Sequence, residues 1–167
     1  MARFKHTFRV NAPLSAVWQL HEDPKALHEL TPPPLRVKIL HMDTPLRVRS
    51  QLVFRLGIGA LGVGWHAIYD EFTPYEPGMH VCGFVDRSIS SPFRSWTHRH
   101  IFHDLDGKIS SVSDDVTFEL LSGLVGSVIT WLVAWPAIAC LFLFRRFKTR
   151  QMLTQMLQQK EQERLEG

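Results

Sequence analysis

Trp96, His98, His100 and Phe102 alternate along the segment Trp96-Thr97-His98-Arg99-His100-Ile101-Phe102. A period of two sets all four on one face of a strand, and the apolar ends of the row predict that this face points inward. Asp114 shares its parity with Val116 and Phe118, so a carboxylate can meet two imidazoles inside a mostly apolar cup. Such a group can orient the polar end of a ligand, satisfy itself as an internal network, or move protons as acid and base.

Other chemistries have less support. Histidine-x-histidine is a usable metal-ligand pair, with His66, His80 or Asp114 as third ligand, but no spacing forces these residues together; no metal and no cofactor is expected. Cys82 falls in a strand pattern and Cys140 in an apolar stretch, where a small core hydrophobe is the default. Ser88, Ser90, Ser91 and Ser95 lie outside any nucleophile-elbow pattern, and no catalytic residue is assigned. Gly57, Gly59, Gly62 and Gly64 do not follow the phosphate-loop register and read as a bend or wide turn.

The elements that must position these residues follow from periodicity. Phe4, Phe8 and Val10 alternate with Lys5, Thr7 and Arg9, the pattern of a half-buried strand. Asn11 offers a helix cap and Pro13 suits a first turn, with Val17, Trp18 and Leu20 as the apolar face. A second short helix fits residues 24–30 and must end at Thr31-Pro32-Pro33-Pro34. Strands are then expected at 35–39, 46–56, 65–72, 79–86, 94–103 and 108–120, with a hairpin turn at 41–45. Residues 122–166 read as helix, apolar on every side at first and charged and amphipathic from about 151. Successive strands at short spacing predict an antiparallel, highly curved sheet.

This order resembles the helix-grip fold, and the chain resembles bacterial ligand-binding members of the SRPBCC superfamily, relatives of the START domains and the major birch-pollen allergen. The matching pieces are HTFRVNAPLSAVW from His6, LTPP from Leu30, SPFRSWTHRHIF from Ser91, DDVTFEL from Asp114 and FLFR from Phe142. Ser91 stands where that subgroup usually has Gly, and Leu121 where it has Pro. The resemblance implies an α+β helix-grip fold: a curved seven-stranded antiparallel sheet wrapped around a long C-terminal helix, with two short helices after the first strand. It implies a single domain over residues 1–167, with a charged helical tail at about 151–167.

The implied function is non-catalytic binding or transport of a hydrophobic or amphipathic small molecule between sheet and helix. Expected ligand contacts are Trp96, His98, His100, Phe102, Asp114, Phe118, Trp131 and Trp135. The alternatives are a cyclase, dehydratase or isomerase acting on a hydrophobic metabolite, and a membrane-associated or interface-forming protein.

Residues 120–144 contain no charged side chain, a length that satisfies the rule for a bilayer span. Three roles fit: a core helix with an outer stripe used in a homodimer, peripheral membrane contact, or insertion with Arg145, Arg146, Lys148 and Arg150 at the cytoplasmic end. In the 167-residue chain, 19 Lys and Arg stand against 16 Asp and Glu, a net +3 without a basic block, so no nucleic-acid partner is predicted. Two cysteines cannot build a disulfide framework, and the charged N-terminus does not read as a secretory signal. A cytoplasmic location is therefore expected.

Overall fold

The computed structural model describes residues 1–23 and 25–166. Its strands are β1 (Ala2–Val10), β2 (Arg36–Met42), β3 (Gln51–Ile58), β4 (Leu61–Thr73), β5 (Val81–Ser90), β6 (Ser95–Asp104) and β7 (Ser110–Glu119). They form one antiparallel sheet in the order β1-β7-β6-β5-β4-β3-β2. Two short helices, α1 (Leu14–Glu22) and α2 (Ala26–Glu29), follow β1. The C-terminal helical body comprises α3 (Gly123–Ile129), a π-helical turn at Thr130–Ala134 and α4 (Trp135–Glu166).

Several local expectations need correction. Asn11 does not cap α1: the helix starts after Pro13, whose carbonyl accepts from the Ala16 and Val17 amides and closes the first turn. The strand expected at 46–56 begins only at Gln51, because Asp43 accepts from the Gln51 amide at 2.8 Å and ends the pairing there. Residues 47–50 instead close a turn in which Ser50 Oγ accepts from the Arg47 amide. The glycines make a tight hairpin, not a wide turn: Ile58 pairs with Leu61 across Gly59-Ala60, and Gly59 has a φ of 58°, which favours glycine. Pro24, expected to open the second helix, lies outside the described residues.

Alternation explains which faces are buried. Cys82 and Phe84 in β5, Trp96, His98, His100 and Phe102 in β6, and Val112, Asp114, Val116 and Phe118 in β7 all point to the interior. The covering helix buries Ala134, Ile138, Phe142, Thr149 and Leu153, a stripe at spacings of four, four, seven and four that follows the helical repeat. At its start, Thr130 Oγ1 accepts from the Leu120 amide at 3.1 Å and donates to the Gly126 carbonyl at 2.8 Å. That fastening ties the helical body to the end of β7. Two buried clusters result: one beneath α1 around Trp18, Phe84 and Phe102, the other beneath the start of α4 around Trp65, Trp96 and Phe118.

Candidate functional site

Between the clusters, the sheet and helix enclose a cavity of about 440 Å³, within the roughly 300–1,000 Å³ usual for small-molecule sites. Its wall is mostly apolar, including Leu52, Phe54, Trp65, Tyr69, Trp96, Ile138 and Leu141. Among the polar residues of the wall, Asp86, His98 and His100 converge, while His21, Asp23, Thr31 and Arg145 line other parts of it.

Strand register builds this polar patch. Asp86 of β5 lies opposite His98, and Asp114 of β7 lies opposite His100. The two imidazoles on β6 are thus held between carboxylates on both neighbouring strands. His98 Nε2 donates to Asp114 Oδ1 at 2.9 Å. His100 Nδ1 comes within 3.1 Å of the same oxygen, but off the line of a well-directed hydrogen bond. On the cavity side, Asp86 Oδ2 stands 3.8 Å from His98 Nδ1 and 3.5 Å from His100 Nε2. Ligand atoms of Asp86, His98 and His100 all lie within 4.8 Å of one another.

These surroundings drive the groups apart electrostatically. Burial, reinforced by the charge of His100, pushes His98 down to about 4. Burial also opposes protonation of His100, but the adjacent carboxylates of Asp114 and Asp86 outweigh it and raise His100 above the ordinary histidine value. Burial is the largest single influence on Asp114 and opposes its ionisation, yet the two imidazoles together hold it well below the usual carboxylate range. His21 donates from Nδ1 to the Val17 carbonyl at 2.8 Å, which leaves Nε2 of its neutral ring as an acceptor.

Of the residues singled out in the sequence, Trp96, His98 and His100 reach the cavity wall. Phe102 and Phe118 are fully buried beside it in the two clusters. Asp114 is also buried and supports the imidazoles from behind. Trp131 and Trp135 are set away from the cavity: Trp131 is exposed, and Trp135 donates its indole N–H to the Arg3 carbonyl at 3.2 Å. These four aromatic residues and Asp114 thus sit outside the lining: Phe102, Phe118 and Asp114 because close packing filled their side of the core, the two tryptophans because the start of the helical body carries them away from the cavity. His66 pairs with Gln51 and His80 with Asp104, both away from the cluster.

Asp86 is the residue that sequence reasoning missed. It shares parity with buried Cys82 and Phe84, a usable signal, but the expected strand stopped at Asp86 and so left its direction open. His21 carried a similar signal, three residues after Trp18 on the buried face of α1.

No family model and no curated protein matches the chain. Solved structures do. A START superfamily protein from Mycobacterium smegmatis aligns with a TM-score of 0.64 at 14% identity, covering 92% of this chain and 98% of that one. Norcoclaurine synthase from Thalictrum flavum aligns with a TM-score of 0.62 at 10% identity, over 93% and 95%. The Zhui aromatase/cyclase from Streptomyces sp. R1128 gives 0.54 at 18% identity, over 90% and 95%. Its fold is the helix grip. At these identities the likeness extends to the helix-grip architecture alone, not to an activity.

Proposed function

We propose that this helix-grip protein binds a hydrophobic or amphipathic small molecule in the cavity between sheet and C-terminal helix. The observation that carries this reading is an apolar wall with one concentrated polar patch at Asp86, His98 and His100. Apolar burial supplies affinity, and a few placed polar groups fix orientation. The ligand's polar end meets this patch, while its apolar body lies along Phe54, Trp65 and Trp96. Asp114 acts as a positioning residue for both imidazoles.

Native mass spectrometry of gently purified protein, followed by organic extraction, tests the reading. One amphipathic molecule per chain is expected, and Ala67→Phe, which fills the wall between Trp65 and Tyr69, should lose it. Repeated recovery of an empty, folded protein that binds no fatty acyl, isoprenoid or aromatic compound would overturn it. Turnover of a recovered compound would convert the binding reading into a cyclase, dehydratase or isomerase.

A second reading, contact with a lipid surface, rests on a separate observation. The β3–β4 hairpin tip and the start of the helical body lie at the same end of the sheet, as the pairing of β4 through β7 requires. Leu61 is 81% exposed, Leu124 89% and Leu132 72%, joined by Ile58, Val125 and Trp131. The helical body is long and apolar enough to cross a membrane, yet little of its most apolar stretch is buried. Arg55 and Arg94, exposed at this end, complement anionic headgroups. The buried stripe from Ala134 to Leu153 keeps the helix in the fold, so we read the contact as peripheral.

A further inference from the structure

We propose that Asp86, His98 and His100 form a binding site for a divalent transition-metal ion, with zinc as the reference ion, at the polar end of the cavity. The inference goes beyond the binding of an organic compound and stands or falls separately from it.

Three observations meet here. First, the ligand set is two imidazoles and one carboxylate, which suits zinc and its first-row neighbours and leaves a position open. Second, the spacing is that of a coordination shell. Asp86 Oδ2 is 3.5 Å from His100 Nε2 and 3.8 Å from His98 Nδ1, too long for good hydrogen bonds. Ligand bonds of ~2.0–2.1 Å place the corners of a tetrahedron about 3.4 Å apart; the two Asp86 edges need a contraction of only a few tenths of an ångström, and the three ligand atoms all lie within 4.8 Å of one another, close enough for an ion to draw them together. Third, the supporting carboxylate is already in place. His98 gives its other nitrogen to Asp114 at 2.9 Å, and His100 brings its own to 3.1 Å. A metal-ligating histidine characteristically engages a carboxylate in this way through its second nitrogen. Both rings are buried, which fixes their aim, and the fourth position opens on the cavity where a ligand's polar end is proposed to lie.

The fold explains how these residues come together. His98 and His100 are two apart on β6, so they share a face, and Asp86 reaches them only because β5 pairs with β6 in the register Asp86↔His98. Gly83 permits that register: a Cβ there would stand 2.2 Å from the His100 carbonyl oxygen.

The test uses full-length protein stripped with a chelator and titrated with zinc chloride by calorimetry, and with cobalt(II) by visible absorption. We expect saturable binding of one ion per chain, a cobalt spectrum of low coordination number, and imidazole ¹⁵N shifts at His98 and His100 on zinc addition. Asp86→Asn should weaken zinc binding by about a hundredfold, against about 10–100-fold for loss of a supporting partner such as Asp114. His41→Ala and His80→Ala, which remove the exposed histidine–aspartate pairs, should leave it unchanged. Absence of stoichiometric binding would overturn the proposal. So would zinc affinity left unchanged by Asp86→Asn, or lost in either surface variant. Should Asp86→Asn fail to fold, the ¹⁵N experiment on the unaltered protein decides: shifts confined to histidines other than 98 and 100 reject the site. No organic ligand enters these measurements, so an empty cavity and an empty metal site are told apart.

Discussion

Asp114 holds two imidazoles through one carboxylate, so its replacement disturbs both. Asn at this position keeps the volume and removes the charge. Breaking a buried charged contact costs about 3–5 kcal/mol, and Asp114→Asn is expected to lower the unfolding free energy of metal-free protein by that order, measured by urea denaturation. His21 supplies a pH-dependent case. Burial pushes it down to about 4, against its carbonyl hydrogen bond; His100 and Arg145 lower it further and Asp114 opposes them. The unfolded chain therefore binds this proton more readily. Its contribution to stability is present above about pH 6.5 and is lost as pH falls toward 4. The stability difference between wild type and His21→Leu should shift in favour of the variant over that interval, as read from paired melts in chelator. At this scale the pairing of His98 and His100 was legible from alternation. Asp86 was not, since a strand's last residue is placed by how far pairing continues, and pairing is not local.

Among the elements, β5 and β6 form the back of the site and depend on close approach. Gly83→Ala would push a methyl into the His100 carbonyl. Overpacking of this kind costs about 1–3 kcal/mol, and the variant should both melt earlier and bind zinc more weakly than wild type. On the covering helix, Phe142 is fully buried, with its ring 5.4 Å from Phe4 and 5.1 Å from His98. Phe142→Ala is expected to cost about 3–5 kcal/mol, while Leu143→Ala, on the exposed side, should cost little; chemical denaturation separates the two. The existence and order of the strands were legible, because strand alternation and turn residues are short-range signals. Boundaries near glycines and around 43–50 were not, because capping by Asp43 and Ser50 outweighed the apolar residues Leu46 and Val48.

For the whole molecule, the exposed apolar end sets the expectation. Co-sedimentation with phosphatidylserine-containing vesicles should exceed that with phosphatidylcholine alone, and the double substitution Leu124→Asp with Leu132→Asp should abolish it without changing the melting temperature. Unchanged sedimentation of that variant would reject lipid contact, and a concentration-dependent dimer lost in the same variant would assign the surface to a second copy. A charge-free run announces an apolar helix, but not which side of it is covered. Here one stripe closes the cavity and the other faces outward, and only packing against the sheet separates them.

The sequence by itself determined the order of elements, the inward face of β6 with His98 and His100 on it, and the inward parity of Asp114 in β7, because periods of two and 3.6 residues are written in neighbouring positions. The tertiary structure decided three further matters: Asp86 completes the polar cluster, Phe102 and Phe118 fill core while Trp65 and Phe54 line space, and the apolar helix has a bare side. Each depends on register between strands and on the volume left after side chains pack. Those quantities arise between segments far apart in the chain, where no local pattern records them.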